Sequence, residues 1–367
     1  MQKHRKILLS IVSLIAFSLS VVSCSKKLYM KYDIAIVTDI GFLMDGGFNQ
    51  GTYEGVKEYC EKYNKTFKHF VPANGDEATD GDRIAAMNSA VESGAKIVVL
   101  PGFAQQAALE KVAPRYPEVK FVGIDVNTIK QDNVTGIHFK EEQSGFLAGY
   151  AAIKDGYTSL GGTFGGGGSD LACNRYAYGY VQGIKKATEE TEEPVKIKIS
   201  YLYGNTFGAS VELQTQMAAW YARGTEIIFS CGGSMLQSVK AAASETLDGM
   251  IIGVDSDQHK ESDRILTSAL KKLKPAIETV LNVCYAGGWD QYLKNKDVYL
   301  GVTENAVGLP TENESWRFDY FSVDEYTDVF NEIVSGEIVV DNSVPSNANN
   351  KEFWEGLSTE KVTIKFE

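Results

Sequence analysis

Several predicted strands of this 367-residue chain are followed directly by an aspartate or a glycine. Five such residues lie just beyond an apolar run, namely Asp39, Gly102, Asp125, Gly232 and Asp255. Ligands of open parallel sheets bind at the carboxyl edge of the strands. Glycine allows close approach to the backbone, and aspartate offers hydrogen-bond acceptors without bulk. Any one of the five could be a turn residue or helix cap, but their shared placement favours a polar ligand.

The elements that must position these residues alternate along the chain. Short β-branched runs predict strands at Ile34–Thr38, Phe67–Val71, Ile97–Leu100, Phe121–Ile124, Leu160–Phe164, Ile197–Tyr203, Ile227–Ser230, Ile251–Val254 and Tyr299–Val302. Longer patterns predict helices at Asn49–Tyr63, Gly81–Ser93, Gln105–Tyr116, Glu142–Lys154, Tyr176–Glu190, Ser210–Arg223, Leu236–Glu245, Pro275–Leu293 and Val323–Ser335. This alternation is typical of parallel sheets covered by helices on both faces. The number of elements favours two lobes over one sheet.

A weak internal repeat supports the two lobes. The segment Gly94–Gly102 resembles Gly224–Gly232, and each reads as a helix end, a buried strand and a glycine. Phe121–Asp125 resembles Ile251–Asp255 in the same way. We therefore expect Asp125 and Asp255 to occupy equivalent positions in two similar halves.

The N-terminus has the pattern of an export signal. Three basic residues among the first six precede an apolar stretch over 7–22, and the sequence Val21-Val22-Ser23-Cys24 resembles a lipobox. We predict a signal peptide over 1–23 and a lipidated tether over 24–32, with lipid, including palmitate, on Cys24. The apolar stretch is shorter than the ~20 residues of a spanning helix, which disfavours an uncleaved anchor. The expected location is the cell membrane, facing the periplasm or the extracellular side.

Composition excludes several partners and cofactors. The net charge of −12 becomes −15 without the three basic residues of the signal, and an acidic body disfavours nucleic acid as a partner. The remaining cysteines show no metal-binding spacing, and we expect neither a metal nor a cofactor. They are Cys60, Cys173, Cys231 and Cys284. A disulfide is possible outside the cytoplasm, but packed free thiols are favoured.

Catalytic motifs are poorly supported. The glycine-rich run Gly161–Gly168 lacks the spacing of a dinucleotide or phosphate loop, so we interpret it as a hinge or a close-approach loop. His69, His138 and His259 do not stand in a motif with a nucleophile. We therefore expect a binding protein and no enzyme.

A family resemblance sharpens these expectations. Thr38-Asp39-Ile40-Gly41 followed by Asp45–Gln50, and Gly253–Gln258 followed by Leu266–Ser268 and Lys271, resemble the basic membrane protein family of importer-associated lipoproteins. Further matches are Tyr116–Phe121, Gly145–Gly149, Arg175-Tyr176, Gly179-Tyr180 and Gly183-Ile184. Gly46 and Gly47 replace the usual Lys-Ser pair, which puts the stiffness of that loop in doubt.

The resemblance implies a two-lobe type I periplasmic-binding-protein fold of class α/β, each lobe a doubly wound parallel sheet. We predict one lobe from residues 33–140 and 272–298 and the other from 141–271 and 299–367. The chain would cross between the lobes near Phe139, Lys271 and Gly301.

The resemblance also implies a set of ligand contacts. A base would stack between Phe48 and Phe207, with Asn49 and Asp125 at its edge. Asp255, the Gly232 backbone and Lys271 would hold the ribose, and Asp39 would line the cleft. Two alternatives remain: Phe48 begins a helix and could be a core residue, and Lys271 stands among other lysines and could lie on a solvated face. The segment Thr206-Phe207-Gly208 lacks an aspartate that the family often has.

These features predict a substrate-binding lipoprotein of an ABC importer that binds a nucleoside, most naturally a purine nucleoside, and delivers it to an ABC permease. A receptor for a sugar or another small metabolite is the first alternative. The second is a surface lipoprotein that acts as a sensor or in host contact, and the third is a cleft hydrolase.

Overall fold

The predicted strands lie in two separate sheets. The computed structural model describes residues 31–38 and 40–367, and residues Tyr32–Glu367 form one unit. The signal peptide, Cys24 and Asp39 lie outside the described residues, so the predictions made for them stay predictions. Among the described helices, none has the length and apolar character needed to cross a membrane.

The first sheet of the described chain has six strands, all parallel. Their spatial order is β11-β5-β4-β3-β1-β2. The strands are β1 (Ile34–Val37), β2 (Phe67–Phe70), β3 (Ile97–Pro101), β4 (Lys120–Ile124), β5 (Val134–Phe139) and β11 (Lys296–Leu300). The central strands are buried along almost their whole length, as expected where helices cover both faces of a parallel sheet.

The second sheet has seven strands within the described residues, in the order β12-β10-β9-β8-β6-β7-β13. Its strands are β6 (Ser159–Phe164), β7 (Val195–Ser200), β8 (Ile227–Cys231), β9 (Met250–Asp255), β10 (Ile265–Lys271), β12 (Val307–Gly308) and β13 (Val362–Phe366). The short β12 pairs antiparallel with β10, and the other pairs are parallel. The predicted α/β class with two parallel sheets is confirmed.

Helices connect the strands of each sheet. They are α1 (Phe48–Lys62), α2 (Asp80–Glu92), α3 (Gln106–Val112), α4 (Glu141–Lys154), α5 (Leu171–Thr188), α6 (Val211–Ala222), α7 (Met235–Ser244), α8 (Leu273–Tyr285), α9 (Val323–Ser335) and α10 (Lys351–Gly356). Each predicted helix overlaps one of these. The largest difference at a helix start is at α5, which begins at Leu171 because the Asp170 side chain accepts a hydrogen bond from Cys173 N and caps the helix. At α8 the helix ends at Tyr285, eight residues before the predicted end.

The chain passes between the sheets after β5, after β10 and after β11, beside the three segments where crossings were predicted. One boundary is corrected. The strand expected at Tyr299–Val302 begins at Lys296, where Lys296–Leu300 pairs with β5 of the first sheet, so Tyr299 and Leu300 do not belong to the second lobe. The side chain of Asp297 contacts His138 Nε2 at 2.9 Å and accepts from Thr128 N, which fixes this edge strand. The other lobe boundaries remain our proposal.

Helices α4 and α5 cross with their backbones in direct contact. Paired glycines make this possible, because a methyl group at any of them would overlap the backbone of the other helix. The glycines are Gly145 and Gly149 on α4 and Gly179 and Gly183 on α5. This crossing fixes α4 beside α5, and Ala172, Cys173 and Tyr176 of α5 line a cavity at the edge of the second sheet.

Candidate functional site

A cavity of about 670 Å³ lies where the carboxyl ends of strands from both sheets meet, and this volume includes its open side. The seven described residues that the sequence singled out all line it: Phe48, Asn49, Asp125, Phe207, Gly232, Asp255 and Lys271. Gly102, the remaining strand-end glycine, lines it as well.

Three of these side chains stand on left-handed backbone. The φ angles are 57° at Asp125, 57° at Phe207 and 64° at Asp255. This conformation is uncommon for residues other than glycine and persists only where surrounding structure enforces it. Its occurrence at three cavity residues indicates that their side-chain directions are maintained at a cost in backbone energy.

Phe207 packs against a wall made of glycine. A methyl group at Gly165 would overlap its ring, and one at Gly232 would come within 3.1 Å of it. The Phe207 carbonyl accepts hydrogen bonds from Met235 N at 3.2 Å and Ser234 Oγ at 3.4 Å. The glycine-rich run is therefore a close-approach loop, one of the two interpretations made from the sequence.

Phe48 begins α1 and lines the cavity from the first-sheet side. Its ring is approached by the ammonium of Lys271, which lies 5.0 Å from the ring centroid. Lys271 Nζ also lies 5.3 Å from the ring centre of Phe139 and 5.9 Å from that of Tyr176. Cations at such distances from aromatic faces are attracted by the ring quadrupole, so three rings help to hold this lysine in place.

Asn49 and Asp45 organise the loop in front of α1. Asn49 Nδ2 donates to Ile40 O at 2.9 Å, so at least one amide hydrogen serves the loop. Asp45 accepts backbone hydrogen bonds from Gly47 and Gln50 at one oxygen and from Asn49 at the other. Burial nevertheless raises the pKa of Asp45 above its usual range. Asp45 lines the cavity but was not among the predicted site residues.

Lys271 forms a buried ion-pair network and does not lie on a solvated face. It is 3% exposed, and Nζ lies 2.6 Å from Asp125 Oδ2 and 3.0 Å from Glu141 Oε1. The other Glu141 oxygen pairs with Arg175 Nη1 at 3.2 Å. Burial alone would lower the pKa of Lys271, but the carboxylates of Asp125, Glu141 and Asp255 outweigh it and raise that pKa well above the usual range. The lysine is therefore a permanent cation beside the cavity.

Asp255 has a different environment. It is 7% exposed, and its Oδ1 accepts a hydrogen bond from the Tyr176 hydroxyl at 3.2 Å. Burial raises the pKa of Asp255 to about 7, although Lys271 opposes this effect. Burial likewise raises the pKa of Asp170, another cavity residue, to about 6. The pKa values of both carboxyls are therefore close to neutral pH, where each group can gain or lose a proton.

Asp170, Cys173 and Tyr176 were missed because α5 was expected to begin at Tyr176. The signal that could have found them is Asp170 itself, an N-cap residue type directly before a helical stretch. Phe103 and Cys231, which also line the cavity, both come shortly after the ends of predicted strands. The other site residues were selected because they follow predicted strands, and these two positions fit the same criterion.

A cluster of Ser315, His259 and Asp257 lies outside the residues that line this cavity. Ser315 Oγ donates to Asp257 Oδ2 at 2.5 Å and contacts His259 Nδ1 at 3.0 Å, while the same Nδ1 lies 2.9 Å from Asp257 Oδ2. In a hydrolytic triad the two imidazole nitrogens contact the serine and the carboxylate separately. Here one nitrogen contacts both, and Ser315 is 1% exposed. The cluster fastens two loops together.

Metal ligation is not suggested by the described part of the chain. Within residues 31–38 and 40–367, no three or more His, Cys, Asp or Glu residues are grouped to hold a metal ion. The four described cysteines are free and buried.

Comparison with known proteins identifies relatives of this arrangement. The family model described as "ABC transporter substrate-binding protein PnrA-like" (Bmp) matches residues 33–343. The "ABC transporter nucleoside-binding protein BmpA" of Lactococcus lactis subsp. cremoris is 29% identical, over 77% of this chain and 85% of that protein. The "CD4+ T-cell-stimulating antigen" of Listeria monocytogenes is 26% identical, over 84% and 88% respectively.

A solved structure shares the fold. The solute-binding protein of an ABC transporter system from Aeropyrum pernix superposes with a TM-score of 0.70 at 22% identity, covering 84% of this chain and 93% of that one. This likeness confirms the predicted type I periplasmic-binding fold. Because the family model spans most of the described chain, the protein belongs to the Bmp family of PnrA-like ABC transporter substrate-binding proteins.

Proposed function

We propose that the ligand of this substrate-binding protein is a nucleoside, with purine nucleosides bound best. The observation that carries the proposal is one cavity lined by an aromatic ring from each sheet region, Phe48 and Phe207, and by the strand-end carboxylates Asp125 and Asp255. Aromatic faces suit a planar base, and buried carboxylates suit the hydroxyls of a ribose. The name of the Lactococcus relative, a nucleoside-binding protein, supports the same ligand class.

In this proposal the base stacks between Phe48 and Phe207, Asn49 and Asp125 face its edge, and Asp255 and the Gly232 backbone hold the ribose. Lys271 was assigned to the ribose and Asp125 to the base. Their 2.6 Å contact brings those two roles to one point in the cavity. A ligand atom there faces an ion pair, which favours a group that both donates and accepts hydrogen bonds.

A sugar is the second candidate. The specific observation in its favour is that Asp125, Asp170 and Asp255 all line the cavity, since several carboxylates can accept several hydroxyls. A stacked sugar would also contact Phe48 and Phe207. The name of the Listeria relative, an antigen, supports a third role at the cell surface. That role does not require a ligand.

The experiment is a thermal-shift panel on the purified protein. Inosine, guanosine, adenosine and uridine are compared with free hypoxanthine, guanine, ribose and xylose. A ligand that binds only the folded state raises the melting temperature, and we expect the purine nucleosides to raise it most. Stabilisation by a free sugar, with no response to nucleosides, would replace the nucleoside proposal by the sugar alternative.

We also propose that the protein is held at the membrane by a lipid anchor and delivers its ligand to an ABC permease. Closure of the two lobes around the ligand requires that the ligand bind the closed form better than the open one. The chain would act by binding alone, without catalysis. Lipid on Cys24 would keep the protein at the extracytoplasmic face of the membrane, and Cys24→Ser should release it from membranes or block its processing. A processed Cys24→Ser protein that partitions into membranes as the wild type does would contradict the anchor.

A further inference from the structure

Two of the four cysteines lie side by side in the cavity wall. Cys173 is in the first turn of α5 and Cys231 is the last residue of β8, and their sulfurs are 3.8 Å apart. Both residues line the cavity. Cys60 on α1 and Cys284 on α8 are equally buried, but they are not among the lining residues. The pair thus differs from the other thiols in having a cavity beside it.

We propose that Cys173 and Cys231 are a disulfide site whose oxidation is controlled by ligand occupancy of the cavity. A disulfide has a sulfur–sulfur distance of about 2.05 Å, so the two sulfurs must approach by somewhat less than 2 Å. Small rotations at the start of α5 can supply such a movement. The two residues belong to elements of the same sheet region, so the bond needs no change in the relation between the lobes.

The reaction is thiol–disulfide exchange with an external disulfide such as oxidised glutathione. The thiolate of one cysteine attacks the oxidant and releases one reduced thiol, and the second cysteine then displaces the other. Cys173 and Cys231 together lose two electrons and two protons, and the external disulfide becomes two thiols. Exported proteins meet such oxidants outside the cytoplasm.

Access to the pair is restricted in the structure. Cys173 is 7% exposed and Cys231 is 1% exposed, so an oxidant reaches them through the cavity or after the lobes open. The Cys231 thiol and burial together raise the pKa of Cys173 well above its usual range, and burial raises the pKa of Cys231. Attack by either thiolate is therefore slow while the pair is buried. A ligand that fills the cavity should slow it further.

Oxidation should in turn weaken ligand binding. Cys231 is followed by Gly232, whose carbonyl accepts from Met235 N, and Met235 N and Ser234 Oγ both donate to the Phe207 carbonyl. A displacement of Cys231 therefore reaches the glycine and the aromatic ring proposed to contact the ligand. This step rests on the proposed function. By linkage, a ligand that binds the oxidised form less well stabilises the dithiol by the same factor.

The first test does not involve a ligand. The full chain is equilibrated in glutathione buffers of increasing oxidised fraction, quenched with an alkylating reagent and digested for mass spectrometry. We expect a peptide linking Cys173 to Cys231 under oxidising conditions, with Cys60 and Cys284 remaining alkylatable after unfolding. Absence of that peptide, or its appearance only in urea, would overturn the disulfide site whatever the ligand is.

The second test concerns the coupling. Saturating inosine should slow formation of the 173–231 link by about tenfold, and the oxidised protein should bind inosine about tenfold more weakly. Cys60→Ser, the matched control, should behave as the wild type, whereas Cys231→Ser and Cys173→Ser should each lose the sensitivity of binding to oxidant. If the link forms and inosine affinity is unchanged, the coupling is wrong. If no nucleoside binds the reduced protein, the proposed function fails while the first test still decides the disulfide.

Discussion

Asp125 and Asp255 end similar strands in the two sheets, yet their charges are controlled differently. The segments Phe121–Asp125 and Ile251–Asp255 share a central glycine and a terminal aspartate in left-handed conformation. Asp125 is paired with Lys271 at 2.6 Å, whereas Asp255 receives a hydrogen bond from the Tyr176 hydroxyl and has a pKa of about 7. The local sequence determines the backbone at each position. The charge state depends on residues brought in from elsewhere in the chain.

Removing the Lys271 ammonium, which pairs with Asp125, should have the largest effect. Lys271→Met would leave Asp125 and Glu141 buried without their shared partner, and such a loss typically costs about 3–5 kcal/mol. We expect a decrease of that size in the free energy of unfolding, measured by urea denaturation. Lys274→Met is the matched control, because that lysine pairs with Glu54 and Glu58 on the surface and should contribute about 0–1 kcal/mol. Equal losses in the two variants would show that the buried network is not special.

Removing the Phe48 ring should have the next largest effect, on nucleoside affinity. Phe48→Ala should weaken nucleoside affinity by about tenfold to a hundredfold, because stacking on a base contributes about 1–3 kcal/mol. Phe48→Tyr and Phe48→Trp should retain much of the binding, as measured by calorimetry. The melting temperature without ligand is the control, since a large decrease would identify Phe48 as a core residue. Full affinity in a well-folded Phe48→Ala protein would exclude stacking at this ring.

Replacing Asp255 tests the second aspartate directly. At pH 8, where the Asp255 carboxyl is ionised, charge-assisted hydrogen bonds to hydroxyls contribute about 1.5–3 kcal/mol each, so Asp255→Ala should weaken nucleoside binding at least about tenfold. Free bases lack the ribose, and their binding should change little. Titrations of inosine and hypoxanthine on both proteins separate these effects. An Asp255→Ala protein that binds inosine as the wild type does would make this residue a structural one.

The smallest expected effect is the pH dependence of stability that Asp255 contributes. Because burial raises the pKa of Asp255 to about 7, the folded protein favours its protonated form, and this contribution to stability is lost as pH rises through 7. Between pH 6 and pH 8, the ligand-free wild type should lose about 1 kcal/mol more than Asp255→Asn. Urea denaturation at the two pH values measures the difference. A pH profile shared by both proteins would contradict the assigned environment.

Much of the site could be predicted from the sequence, because apolar β-branched runs mark where the buried strands end. Buried β-branched runs located β1, β3, β4, β8 and β9, and residues at the carboxyl ends of β3, β4, β8 and β9 line the cavity. Strands β5 and β10 were missed because their buried positions include polar residues such as His138, Thr267 and Ser268. Two of these residues have partners from other segments: His138 contacts Asp297, and Ser268 Oγ accepts a hydrogen bond from Gln258 N. Local pattern does not contain such pairings.

The burial of Lys271 could not be predicted from the local sequence, because its partners also come from other segments. Its neighbours Lys272 and Lys274 suggest a charged surface, and only the folded chain shows Asp125 and Glu141 beside its ammonium. The family resemblance selected the residue without explaining it. Its role as the cation of a buried network, shared by carboxylates from distant segments, follows from the tertiary structure.

The glycine crossing of α4 and α5 also restricts how the protein can move. Sliding of one helix past another requires side chains that exchange between neighbouring grooves, as in shear motions. Here backbone lies on backbone at Gly145, Gly149, Gly179 and Gly183, so no such intermediate positions exist. The two helices should travel as one rigid body that carries Glu141 and Tyr176 with it. We expect any opening of the cleft to be a rotation about the three chain crossings, with an amplitude that depends on the backbone torsions of a few residues there.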